Sequence, residues 1–193
     1  MRIALADAKQ KCGSFFGKSF ELFADFIYNV VADLKLPKNS KILDVGTGRG
    51  IMSIILAIQD YKIVTGEPAG DNWADWQTPV KSLGLEKQIK FHTFRAEALP
   101  FNDASFDAVF IYGSFHHIPE KALTLQECMR CLKATGVLSI FEFNPKGIAL
   151  LRQEVPNHPD AVNPLDYLGN MPLSYKIRSM EFLDAYIFHK ITP

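Results

Sequence analysis

The sequence predicts an α/β chain: a three-layer, doubly wound, mostly parallel sheet, closed by a C-terminal antiparallel hairpin. Three observations predict it. Short apolar runs at 41–45, 62–65, 89–93, 106–112 and 137–143 alternate with stretches of helical spacing. Runs of this kind suit parallel strands, which are covered by helices on both faces. A glycine-rich turn follows the first run without a gap. The rhythm then changes after Phe143, where prolines punctuate the chain and 174–191 reads as two closing strands.

The elements follow in order. The first 40 residues are expected to hold one amphipathic helix, since Phe23, Phe26, Ile27, Val30, Val31 and Leu34 recur at helical spacing. Pro37 and Asn39 end it. Lys41–Val45 is the first strand. Ile51, Ile54, Ile55 and Ile58 give a helix stripe, and Lys62–Thr65 is the second strand. A weaker helix over Asp71–Leu83 is divided by Pro79, which lacks a backbone donor. Ile89–Thr93 and Phe106–Tyr112 are strands three and four. Leu125, Cys128, Met129 and Leu132 mark a helix closed near Gly136, and Val137–Phe143 is strand five. Lys146–Val155 reads as helical. Pro156, Pro159, Pro164 and Pro172 then mark a loop-rich stretch before the closing hairpin.

The chain has 193 residues, the size of one domain. A single domain over 1–193 is expected, with an N-terminal helical cap at 1–40, a core at 41–145, and a partial lid with closing strands at 146–193. Apolar residues make up 48% and charged residues 22%, and 21 basic residues balance 21 acidic ones. That balance argues against a nucleic-acid binder, which carries a net basic face. No apolar run reaches the roughly 18 residues of a membrane span, and the first residues turn polar too early for a secretory signal. Three cysteines, an odd count, do not read as a disulfide framework, so a cytoplasmic location is expected. Oligomeric state is not legible.

The strongest feature is Ile42-Leu43-Asp44-Val45-Gly46-Thr47-Gly48-Arg49-Gly50. A strand enters three glycines at alternate positions and leaves directly into a helix. Ligands on parallel sheets bind at the carboxyl ends of the strands, and glycines there allow close backbone approach. The spacing is Gly-x-Gly-x-Gly, not the Gly-x-Gly-x-x-Gly of a dinucleotide site. Asp44 places a carboxylate beside the loop, repelling an anion and attracting an ammonium. A nucleoside carrying an amino acid therefore suits the loop better than a dinucleotide. Glu67 ends the second strand in Val64-Thr65-Gly66-Glu67-Pro68, where a carboxylate can accept both ribose hydroxyls. Taken singly, Asp44 and Glu67 also read as a turn residue and a solvated loop residue.

On these residues the sequence resembles the class I S-adenosylmethionine-dependent methyltransferases, over about residues 40–145. Asp44–Gly50 is similar to the family's first motif, whose backbone surrounds the methionine part of the cofactor, and Glu67 falls at its ribose-binding acid. Leu99-Pro-Phe-Asn-Asp-Ala-Ser-Phe-Asp107 and Leu132-Lys-Ala-Thr-Gly136 resemble the segments before strands four and five. Gly113-Ser-Phe-His-His-Ile118 resembles the branch that methylates small molecules such as quinone precursors and sterols. The resemblance implies a Rossmann-like fold, S-adenosylmethionine as cofactor with S-adenosylhomocysteine as product, and a small-molecule acceptor. It implies cofactor contacts at Asp44, Gly46, Thr47, Gly48, Gly50, Glu67, Pro68, Ala96, Glu97 and Tyr112. One departure stands out: where the family commonly has Gly-Asp-Ala, this chain has Phe94-Arg95-Ala96. Arg95 offers no acceptor to adenine, so Glu97, backbone groups, or stacking by Trp73 or Trp76 are the alternatives. For either tryptophan, packing on the sheet is the simpler role.

Methyl transfer is an in-line displacement and needs no covalent nucleophile, though a base helps when the acceptor is a hydroxyl, phenol or protonated amine. His116 is the candidate base, and His117 a weaker one; both can equally line a wall or cap a helix. No metal site is expected, because adjacent histidines point apart and no further ligands accompany them. Cys128-x-x-Cys131 lies in a helix and reads as packing. Tyr112-Gly-Ser-Phe lacks the Asn/Asp-Pro-Pro-aromatic pattern of families that methylate exocyclic amines. Phe15, Phe16, Phe20 and Tyr28 are candidate lid aromatics or ordinary core, and Asn144 is a candidate substrate contact. Two other readings stand: a non-catalytic cofactor-binding module or partner subunit, and a nicotinamide-dependent short-chain reductase. The second rests on Tyr186-x-x-x-Lys190, a pair that needs a helix to share one face.

Overall fold

The computed structural model describes residues 3–70 and 74–191, the side chains of 18 and 19 aside. No helix among the described residues is long and apolar enough to cross a membrane. By internal packing the chain divides into two units, Met1–Phe94 and Arg95–Pro193.

The first unit opens with two helices, α1 (Leu5–Phe16) and α2 (Lys18–Asp33), where one was expected. Gly17, at φ 63, separates them. Its left-handed backbone ends α1, and its amide donates back to the Gly13 carbonyl at 2.8 Å. The apolar periodicity of 5–16 is interrupted by charged residues, which hid α1 from a reading by stripe alone. Phe16 and Phe20 are buried and meet edge-to-face at 4.9 Å, so both are core. Phe15 is exposed, and Tyr28 half-buried.

Strand β1 (Lys41–Val45) pairs in parallel with β2 (Lys62–Glu67), which pairs in parallel with β3 (Ile89–Thr93). Between β1 and β2 lies α3 (Ile51–Ile58), all eight residues of which are buried. The apolar stripe accounts for one face only; a helix buried all round, its one polar residue Ser53 hydrogen-bonded, is an interior helix. The helix expected over 71–83 is only α4 (Gln77–Ser82). Pro79 sits in its first turn, where the missing N–H would have had no helical partner anyway. The proline thus marks a helix start rather than dividing one. Residues 71–73, with Trp73, lie outside the described residues. Trp76 stacks on Phe91 of β3 with centroids 5.6 Å apart, the sheet-packing role.

The second unit has β4 (Phe106–Tyr112) parallel to β5 (Leu132–Phe143), then β7 (Leu183–Lys190) antiparallel to β5, and β6 (Leu173–Ser179) antiparallel to β7. Helix α5 (Lys121–Cys131) ends five residues before Gly136, and β5 begins at once. Its register against β4 jumps from Phe106↔Leu132 to Ala108↔Val137, so 133–136 bulge out of the ladder as the turn-like sequence requires. Helix α6 (Pro145–Leu151) is shorter than expected and is followed by loops. The hairpin β6–β7 matches the predicted closing strands. Strand β6 is largely exposed and carries Lys176 and Arg178, charges suited to a free edge.

Candidate functional site

In the first unit the site grows from the end of β1. Gly46, Gly48 and Gly50 have φ of 88, 51 and 82, a run of left-handed backbone that side chains resist. The loop therefore needs the glycines at their alternate spacing. Gly50 also caps α3, and no side chain caps that helix end, so its first amides are available to a ligand. Asp44 is fully buried. Ser53 and Thr65 hydroxyls donate to its Oδ2 at 2.6 and 3.0 Å, and Thr65 Oγ1 lies 2.9 Å from Thr47 Oγ1. Its Oδ1 is buried with no hydrogen-bond partner among the described residues. Burial pushes the Asp44 carboxyl up to about 7, the two hydroxyls oppose the shift, and the charge of Glu67 adds to it.

Glu67 is buried too, at 7% exposure, and its Oε1 accepts the Gly48 amide at 2.5 Å. Glu67 therefore meets the glycine loop directly, and neither acid faces bulk water. An unpaired carboxylate oxygen in a dry setting is costly, roughly 1–3 kcal/mol or more, and a cationic donor would relieve it. The residues present fit an amino acid-bearing, positively charged nucleoside on this chemistry. Ser53 and Thr65 escaped the sequence reading because neither is apolar, acidic or in the glycine motif; only pairing of β1 with β2 and the inward turn of α3 bring them to Asp44. Pro68, next along, is half-buried. Beside the loop, Phe15, Phe16, Arg49, Ala74 and Asp75 line a cavity of about 240 Å³, so of the candidate lid aromatics Phe15 and Phe16 reach this site.

The second unit holds the histidines. His116 lies in a single 3₁₀ turn, Phe115–His117, after β4. Its Nδ1 is 2.6 Å from Glu142 Oε1, its backbone amide donates to Glu142 Oε2 at 3.1 Å, and the Phe143 amide donates to Oε1 at 2.9 Å. Glu142 and His116 are both buried. In the neutral ring, Nδ1–H donates to the carboxylate and the lone pair is left on Nε2. Nε2 is buried with no hydrogen-bond partner among the described residues. The rings of His117 and His158 pack beside the His116 ring, with centroids 4.1 and 4.9 Å from that of His116 and 5.2 Å from each other. His117 is exposed as a residue, yet desolvation of its ring, then the charges of His116, His158 and Lys121, push it down to about 4. Burial, with smaller charge effects, lowers His158 as well. The third histidine corrects the expectation that the pair lacks companions: His158 arrives from a loop 41 residues beyond His117 in sequence.

Comparison with known proteins decides the family. The family model for the methyltransferase domain matches residues 43–140, more than half of the chain. The chain belongs to the methyltransferase domain family. Among curated proteins it is 30% identical over 130 residues to the ubiquinone/menaquinone biosynthesis C-methyltransferase of Geotalea uraniireducens, covering 63% of this chain and 53% of that one. It is 36% identical over 112 residues to the 2-methyl-6-phytyl-1,4-hydroquinone methyltransferase of Synechocystis, covering 58% and 34%. It is 30% identical over 142 residues to the demethylmenaquinone methyltransferase of Staphylococcus aureus, covering 70% and 56%. The chain thus spans about half the length of the curated relatives it matches, or less. Among solved structures, the YcgJ protein of Bacillus subtilis superposes with a TM-score of 0.66 at 18% identity, over 80% of this chain and 71% of that one. Geranyl diphosphate methyltransferase gives 0.65 at 11%, over 87% and 84%. These likenesses establish the α/β methyltransferase fold, here with C-terminal antiparallel strands.

The remaining residues of this methyltransferase-domain chain fall as follows. Arg95 and Ala98 bridge a tight turn, within which Arg95 pairs with Glu97 at 3.3 Å. The acid suggested to replace the family's aspartate thus already has a cation beside it. Ala96 is buried. Tyr112, half-buried at the end of β4, has its ring 6.1 Å from that of Phe143. Asn144 is taken up by the fold: its Oδ1 caps α6 by accepting the Lys146 and Gly147 amides, and its Nδ2 donates to the Glu181 carbonyl. Cys128 and Cys131 are buried thiols in α5, with pKa values raised chiefly by burial, which makes them inert packing. Tyr186 and Lys190 lie on strand β7, about 13 Å apart along the chain and not neighbours on a helix face. The pair cannot form the reductase motif.

Proposed function

We propose that this chain is an S-adenosylmethionine-dependent methyltransferase whose acceptor is a small molecule and whose by-product is S-adenosylhomocysteine. The observation that carries the reading is Asp44: a fully buried carboxylate whose Oδ1 has no hydrogen-bond partner among the described residues, set behind three left-handed glycines. Asp44 and the amides of Gly46–Gly50 hold the amino acid end of the cofactor, with Thr47 and Thr65 fixing the carboxylate in place. Glu67 exchanges its bond to the Gly48 amide for ribose hydroxyls, and Pro68 turns the chain away after it. When bound, the sulfonium supplies an electrophilic methyl group. The chain's own task is to orient and to keep water out.

His116 is the proposed base. Glu142 holds the ring by Nδ1, which leaves Nε2 to take the proton of an acceptor hydroxyl or phenol. The relatives named for ubiquinone/menaquinone biosynthesis, a hydroquinone and a demethylrifamycin support a small-molecule acceptor, the first of them being named a C-methyltransferase. Neutral net charge supports a small molecule over nucleic acid, and three buried free thiols suit a reducing, cytoplasmic setting. The test is methyl-labelled S-adenosylmethionine incubated with quinols and other hydroxyl-bearing small molecules. Label in the organic phase together with S-adenosylhomocysteine is the expected result. Cofactor binding with no label moving to any acceptor favours a non-catalytic module; binding of NADH alone overturns the reading.

A further inference from the structure

We propose that His116, His117 and His158 form a binding site for a divalent transition-metal ion of the zinc class, with Glu142 as the carboxylate that orients His116. The inference rests on geometry within the second unit and does not depend on the methyltransferase reading.

Four observations converge. The three imidazoles each offer a nitrogen, and these nitrogens lie within 4.8 Å of one another. Around zinc, with Zn–N near 2.0–2.1 Å, tetrahedral nitrogens sit roughly 3.3 Å apart, so closure needs small ring rotations of His117 and His158, the two less buried members. Second, His116 is fully buried in its side chain, and its Nε2 has no hydrogen-bond partner among the described residues. A buried lone pair is normally satisfied, and a cation shared with the two neighbouring imidazoles would satisfy this one. Third, the bond from Nδ1 to Glu142 is the carboxylate–histidine arrangement that fixes the tautomer and orientation of a metal-ligating ring. Fourth, His158 is held in place by its own backbone: Arg152 donates through Nε and Nη2 to the His158 carbonyl at 2.9 and 2.7 Å, and also binds Asp160 at 2.7 Å. His158 Nδ1 lies 3.3 Å from the Pro159 carbonyl, which leaves Nε2 as the ligating atom.

Imidazole ligands suit Zn²⁺, Cu²⁺, Ni²⁺ and Co²⁺ rather than Mg²⁺ or Ca²⁺. Three protein nitrogens leave the fourth zinc position open for water or an acceptor oxygen. The metal and a proton compete for the same Nε2 lone pair of His116, so the metal-loaded site and the histidine base are alternative states of one group.

The experiment is a calorimetric titration of zinc chloride alone into the full chain after chelator treatment. One ion per chain is expected. His158→Ala, in a loop and therefore safe for folding, weakens binding at least tenfold, and Glu142→Gln weakens it by 10–100-fold. Cys128→Ser and Cys131→Ser bind as the unaltered chain does, and unchanged melting curves certify each variant. Absence of zinc binding, unchanged affinity in His158→Ala, or loss confined to the cysteine variants overturns the site. None of these outcomes bears on S-adenosylmethionine binding, which is read separately with zinc absent.

Discussion

Asp44 is an aspartate that titrates near neutrality. In the unfolded chain it ionises near 3.8, whereas burial raises the folded value to about 7. The folded chain thus holds this proton more tightly, so the stabilisation from Asp44 is complete below about pH 4 and is lost as the pH rises through 7. A cationic ligand prefers the ionised carboxylate. Affinity for S-adenosylmethionine therefore rises as the pH climbs through 7, and Asp44→Asn flattens that rise; dissociation constants at about pH 6 and pH 8 check it. At His116 the expectation is kinetic. Measured with chelator present, His116→Ala slows turnover by roughly 10²–10⁴-fold and leaves cofactor affinity nearly intact; loss of cofactor binding instead would refute a base role. Asp44 and Glu67 were legible because each stands at a fixed place in a contiguous strand–turn pattern. Ser53, Thr65, Glu142 and His158 were not. His116 meets Glu142 across 26 residues through the exit of β5, and His158 sits in a proline-rich loop with no periodicity to announce it.

The strands and the closing hairpin were legible as elements, because apolar runs report two-sided burial. Boundaries set by one residue's backbone were less so. Gly17 breaks one expected helix into two, and Pro79 starts α4 where a division was expected. The Leu99–Asp103 segment, part of the family resemblance, owes its placement to α5. Arg130 binds the Leu99 and Phe101 carbonyls and the Asp103 carboxylate at 2.7–3.0 Å, and grips Glu127 through two nitrogens. Glu127 in turn accepts the Leu99 amide at 2.9 Å. Nothing in the sequence pattern distinguishes Arg130 from a solvated helix charge. About a third of its side chain is exposed, so screening limits its worth. Arg130→Met should cost about 1–2 kcal/mol, lower the melting temperature by about 2–8 °C, and speed hydrogen exchange at the Leu99 amide. A melting temperature unchanged by the substitution would show that the segment is held by other means.

At the scale of the whole chain, ligand binding reads out as stability. S-adenosylmethionine at one hundred times its dissociation constant adds about 2.7 kcal/mol, or about 5–10 °C for a chain of this size. S-adenosylhomocysteine should shift the melt similarly and NADH not at all. A shift with NADH alone would return the nicotinamide reading, which β7 has already deprived of its tyrosine–lysine pair. The fold was legible because alternation of strand and helix is spread along the entire sequence. The histidine cluster was not, because it exists only once separate segments of the second unit are folded together.

The most direct measurement is calorimetric titration of S-adenosylmethionine into the unaltered chain, Asp44→Ala and Glu67→Ala, with melting curves confirming that each variant is folded. The account predicts one site per chain and a dissociation constant more than tenfold weaker in each variant. Equal dissociation constants in all three proteins would contradict it.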